Sequence, residues 1–93
     1  MRFTIWKFVY PLPQNEAEIE MPYGAEILCA REQNNPDAYQ QVCIWARVDI
    51  DEQRRQKRTF KLCGTGHLAP FDFYIGTAVT ASDFVWHIFE VRK

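Results

Sequence analysis

The residues of this chain best suited to chemistry lie in three short pieces: Gly64-Thr65-Gly66-His67, Tyr74-Ile75-Gly76-Thr77 and Val85-Trp86-His87-Ile88-Phe89-Glu90. Together they hold both histidines and all but one of the glycines. Two glycines around a threonine let successive backbone N–H groups turn into one concavity. Thr65 and His67 add side-chain donors, so Gly64, Thr65, Gly66 and His67 form a candidate phosphate cradle. The phosphate loop of nucleotide hydrolases is absent, as is the six-residue dinucleotide glycine pattern. The plain reading is a turn needing positive φ at one glycine. Arg47 stands mid-segment beside Trp45 on a side shared with Cys43 and Asp49, where a guanidinium needs an acidic partner or an anion. Tyr74 and Trp86 are candidate platforms for a base, worth about 1–3 kcal/mol per stacked ring. For Trp45 and for each of these rings the plain alternative is core packing. His87 sits between Trp86 and Ile88 and is expected to be buried, neutral and bonded to a backbone carbonyl.

Other chemistries have weaker support. Cys63 and His67 are four residues apart, but structural zinc sites use two close ligand pairs and only one exists, so no metal and no cofactor is expected. Cys63 could pair with a histidine as nucleophile and base, yet nothing local marks its thiol as reactive. The three cysteines, Cys29, Cys43 and Cys63, are odd in number and suggest reduced, structural thiols in a cytoplasmic compartment. The basic run Arg54, Arg55, Lys57, Arg58 and Lys61 is interleaved with Asp49, Asp51 and Glu52, as on a solvated hairpin tip. A net charge of −1 argues against a long nucleic acid or an acidic membrane surface as partner. No stretch approaches the ~20 apolar residues of a membrane helix. No signal peptide is expected either: Lys7, Pro11 and Pro13 interrupt the N-terminal apolar run.

The elements that must position these residues read as strands. Ninety-three residues make one domain, 1–93, burying about 60–65% of its unfolded surface. Phe3 to Tyr10 is a strand rich in aromatic and β-branched residues, with both faces partly covered and prolines at its end. Glu18 to Pro22 alternates, Tyr23-Gly24 turns, and Ala25 to Arg31 follows. Gln41 to Ile50 shows the clearest alternation, with Val42, Ile44, Ala46, Val48 and Ile50 on one face. Lys57 to Cys63, Phe73 to Thr80 and Phe84 to Val91 complete the set, the last two joined at Ala81-Ser82-Asp83. Asn34 to Asp37 is turn chemistry, and one helical turn within 35–41 is the only helical option. The expectation is all-β: a small antiparallel sandwich or barrel of about seven short strands. Lys57, Arg58 and Lys61 would guard one edge, or an edge would pair between subunits.

Ile19-Glu20-Met21-Pro22-Tyr23-Gly24-Ala25-Glu26-Ile27-Leu28, Ile44-Trp45-Ala46 and the three pieces above carry a resemblance. The chain resembles a family of small, uncharacterised proteins of bacteriophages and bacterial genomes. That resemblance implies a phage-type cytoplasmic accessory protein that opposes a host defence by binding a protein or sequestering a nucleotide signal. The expectation is a non-enzymatic protein, with a phosphorylated, nucleotide-like small molecule meeting Gly64 to His67 and Arg47, and its base on Tyr74 or Trp86. A chain this small would enclose it at a subunit boundary of a homo-oligomer. Two alternatives are a protein–protein inhibitor acting through an aromatic surface or free edge, and a metal-free phosphodiesterase using His67 and His87 as acid and base.

Overall fold

The structure, a computed structural model, describes residues 1–34, 41–69, 73–80 and 83–92. The one helical option, within 35–41, most of the 34–37 turn and the 81–82 tip lie outside the described residues, apart from their flanks. Seven strands account for most of the rest: β1 (Phe3–Val9), β2 (Glu16–Pro22), β3 (Glu26–Gln33), β4 (Gln41–Asp49), β5 (Arg55–Gly64), β6 (Phe73–Thr80) and β7 (Phe84–Val91). The chain is all-β, as the alternation requires. All seven strands lie in one sheet, ordered β1-β4-β3-β6-β7-β5-β2. The sheet is mixed, because β3 and β6 run parallel, Ala30 opposite Gly76, while the other pairs are antiparallel.

The sheet curls into a half-barrel, and the apolar periodicity explains the direction of the curl. Val42, Ile44, Ala46 and Val48 of β4 are all buried, as period-2 alternation places them. They share one core with Phe60 of β5, Ile88 of β7, Met21 of β2 and Tyr10 just after β1. Residues from, or next to, the strands at both ends of the order therefore belong to one core. Each large side chain so buried contributes about 1.5–3 kcal/mol.

One glycine makes the join between the two halves possible. A β-carbon on Gly76 would lie 1.8 Å from the Ala30 carbonyl oxygen. Only a residue without a side chain lets β6 approach β3 there. A bulge between Tyr74 and Gly76 adjusts β6 against β7 next to this contact.

Two expectations about the rim need correction. β1 is an edge strand, and among its residues only Phe8 is even half-buried. Its aromatic composition suggested cover on both faces, but composition does not report strand order. Lys57, Arg58 and Lys61 guard no edge, because β5 lies between β7 and β2. The charged edge is β2, with Glu16, Glu18 and Glu20 exposed. Arg58 instead turns inward to Glu90, which is only 2% exposed.

Candidate ligand-binding site

Opposed residues of an antiparallel ladder share a face, and neighbours along a strand do not. Gly64 opposes Trp86, which opposes Ala78, so these three belong to the concave side. Cys63 opposes His87, which opposes Thr77, and these belong to the convex side. The end of β5 therefore serves two separate constellations, one on each face.

On the concave side β5 ends in a four-residue turn. The His67 N–H donates to the Gly64 carbonyl at 3.0 Å, and Gly66 takes φ +90°. This is the positive-φ glycine that the spacing predicts. The His67 ring folds back over Gly64, and its Nδ1 lies 3.0 Å from where a β-carbon would stand. Trp86 lies beside it, stacked on Phe84 with ring centroids 6.0 Å apart and planes 19° apart. The indole N–H donates to Thr80 Oγ1 at 3.0 Å, fixing the ring's tilt. Gly64, Thr65, His67, Asp83, Phe84 and Trp86 border an open groove of about 340 Å³. The groove offers aromatic walls, an imidazole and the turn's backbone, with Asp83 as the one carboxylate among its described lining residues.

On the convex side lies a chain of polar side chains. His87 Nε2 meets Thr65 Oγ1 at 2.9 Å, and Nδ1 meets Thr77 Oγ1 at 3.1 Å. Thr77 Oγ1 in turn bonds the Tyr74 hydroxyl. His87 is half-buried, with hydroxyls on both nitrogens rather than the backbone carbonyl expected. Its ladder position opposite Thr77 supplies that partner, which the sequence distance hides. Thr65 links the two constellations, since its neighbours Gly64 and Gly66 build the concave turn.

The structure thus brings Gly64, Thr65, Gly66, His67 and Trp86 together. It puts Tyr74 on the other face, its ring edge against Phe89. It puts Arg47 three strands away in the sheet order, where its Nε is 3.4 Å from Glu26 and its guanidinium 4.5 Å from the Phe3 ring. Its acidic partner is Glu26, across the β3–β4 ladder. His67 and His87 attach to opposite faces. Phe84 is the site residue that sequence reasoning missed; its position two before Trp86 on one strand was the available signal.

The cysteines divide as well. Cys63 is buried beneath the loop, its thiol directed at the Gly64, His67 and Leu68 carbonyls at 3.4–3.7 Å. It meets the backbone of His67, not its ring. Burial pushes the Cys43 thiol up from its ordinary value. Cys29, expected to be structural, is exposed. A residue-level bulge in β3 between Ile27 and Cys29 accounts for a position that simple alternation misplaces.

A second cleft, of about 680 Å³, opens near the other end of β5 and β7. Its floor holds the Glu90 carboxylate, bonded by Arg58 Nε and, at 3.2 Å, by Arg92 Nε. Arg58 also donates to the Ala25 carbonyl at 2.7 Å. These bonds tie β5, β7 and the start of β3 together, and they satisfy the buried charge. This is architecture in a place where the run of basic residues suggested a solvated tip.

A family model described as Domain of unknown function (DUF7352) matches residues 1–93. The chain belongs to this family. No curated protein and no solved structure matches this DUF7352 chain. Among its described residues no helix is long and apolar enough to cross a membrane. The DUF7352 assignment spans both constellations of the site.

Proposed function

We propose that this protein binds a small planar ligand carrying phosphate, a mononucleotide or similar molecule, in the groove between the Gly64–His67 turn and the Phe84–Trp86 pair. The observation that carries the reading is that pair of stacked rings beside a glycine turn capped by an imidazole. A base extends the stack, and the phosphate meets the turn's N–H groups and His67. A groove of about 340 Å³ is at the small end of ligand pockets, which suits one base rather than two. The proposed contacts are Gly64, Thr65, Gly66, His67, Phe84 and Trp86. Arg47 and Tyr74 stand outside this set by their placement.

Binding is favoured over catalysis. His87 has both ring nitrogens engaged by threonine hydroxyls, and His67 faces the other way, so the two imidazoles do not flank one substrate. In a phage setting, the biological form of this activity is sequestration of a nucleotide signal of the host's defence.

The test is a thermal-shift series across nucleoside mono- and diphosphates and cyclic nucleotides, followed by titration calorimetry. Stabilisation grows as RT ln(1 + [L]/Kd), so a ligand at a hundred times its Kd adds about 2.7 kcal/mol. His67→Ala is expected to weaken binding at least about tenfold while the free protein melts near the wild-type temperature. Trp86→Ala is expected to weaken binding as much and also to lower the melting temperature, since it removes the Phe84 stack and the Thr80 bond. Arg47→Ala is expected to bind normally. Absence of a shift with every nucleotide overturns the reading.

A further inference from the structure

The two ends of the sheet are chemically unlike. Hydrogen bonding sets which backbone groups face outward. The Tyr10 N–H donates to the Val42 carbonyl and the Ile50 N–H to the Arg2 carbonyl. Even-numbered residues of β1 therefore bond inward to β4, given the β1–β4 register. The outward N–H and C=O groups belong to Phe3, Ile5, Lys7 and Val9. At the other edge, Tyr23 N–H bonds Arg54 and Leu62 N–H bonds Asn15. By the same parity the outward groups of β2 belong to Glu16, Glu18, Glu20 and Pro22. One edge presents three carboxylates and a residue without an N–H, which are ordinary guards against pairing. The other presents a seven-residue ladder in which Lys7 is the only charge, and Lys7 is already bonded to Gln33 Oε1 at 2.7 Å. Ile5 is 58% exposed and Phe3 51%.

We propose that β1 pairs with β1 of a second copy of this chain, antiparallel about a twofold axis at Trp6, giving a dimer with one continuous sheet. The register follows from the edge itself. Centring on Trp6 sets Phe3 against Val9 and Ile5 against Lys7, so every outward backbone group of all four residues is paired. Centring on Lys7 opposes two ammonium groups, and centring on Ile5 leaves Val9 without a partner. In the chosen register Trp6 meets its own copy at a non-hydrogen-bonded position, where side chains stand closest. The exposed side chains of Phe3, Ile5 and Val9 gain cross-strand neighbours on the convex face. The groove at Gly64 lies on the far half of the sheet and stays open, so this pairing is independent of the ligand reading.

Three measurements on the full chain test the pairing. Sedimentation equilibrium is expected to show a reversible dimer. Ile5→Pro removes an outward N–H that β4 does not use, so it leaves the fold's own ladder intact. It deletes one bond from each copy and is expected to raise the dimer dissociation constant about 30-fold, with an unchanged circular dichroism spectrum. Trp6→Cys in a Cys29→Ser background is expected to form an intermolecular disulfide on mild oxidation, since Cα atoms at such a position are about 4.5 Å apart. Leu28→Cys, exposed but on β3, is expected not to. A monomer at all concentrations, a dimer unaffected by Ile5→Pro, equal cross-linking at Trp6 and Leu28, or an edge occupied only by a strand from a different protein each overturns the proposal.

Discussion

Replacing Gly76 by alanine tests whether the half-barrel depends on one close approach of two backbones. The added β-carbon would lie 1.8 Å from the Ala30 oxygen, 2.7 Å from its carbon and 2.8 Å from its nitrogen. Real β-carbons essentially never come within 3.0 Å of another heavy atom, so β6 and β3 must part by about 1.2 Å (3.0 − 1.8). All three obstacles are backbone, so no rotamer change relieves them. N–H···O bonds hold only over about 2.7–3.2 Å, and a shift of that size breaks those beside the contact. Ala30–Gly76 is the one register pair of the parallel ladder among the described residues, and that ladder joins the two halves of the sheet. The expected loss is at least about 3 kcal/mol, at the upper end for overpacking. For a domain of this size each kcal/mol is worth about 4–8 °C, so the melting temperature falls by at least about 12 °C. Thermal unfolding followed by circular dichroism reads it directly. Gly64→Ala is the control. The three atoms nearest its new carbon all belong to the movable His67 ring, and it should melt within about 4 °C of wild type. A Gly76→Ala melt that close to wild type would refute the claim that this contact governs the join.

Three further outcomes follow from groups already placed. Arg58→Met leaves the buried Glu90 carboxylate with only the half-exposed Arg92, and should lower stability by about 3 kcal/mol in urea titration; adding Glu90→Leu should recover most of it. Burial, helped by nearby Glu16, pushes the Tyr10 phenol up to about 12 from 10.0. Its folded pKa exceeds its unfolded one, so its contribution is complete below pH 10 and is lost between pH 10 and 12; absorbance titration should show one tyrosine ionising late, together with unfolding. His87→Ala removes bonds to Thr65 and Thr77 and should cost about 2 kcal/mol in chemical denaturation, whereas His67→Ala should cost little.

Much of the fold is legible because alternation is a local property. The apolar face of β4 can be read from Val42 to Val48 without knowing any partner strand. The turn at Gly64–His67 is legible for the same reason: φ > 0 at Gly66 is a demand made by four adjacent residues. Strand order is not local. The parallel join at Gly76, the exposure of β1 and the inward turn of Arg58 depend on which strands are neighbours, and period-2 patterns are silent on that. Arg47 illustrates the limit. The sequence shows that its charge needs an acid or an anion, but the answer, Glu26, lies in another strand of the ladder. In the candidate site, the ring set on β7 could be read from its two-residue spacing. The Thr65–His87–Thr77–Tyr74 chain could not, since it joins three separate segments.

The acidic row on β2 bears on how far an assembly can grow. Strand pairing of unlike edges, β1 of one molecule on β2 of the next, would have no natural stopping point and would yield a fibre. Pairing of like edges consumes the sticky end in one step and leaves two identical, repellent termini. Glu16, Glu18, Glu20 and Pro22 would then act as chain terminators in the polymer sense. Neutralising the two central carboxylates, by Glu18→Val with Glu20→Thr, would weaken this stop, and growth into longer assemblies would become a matter of concentration.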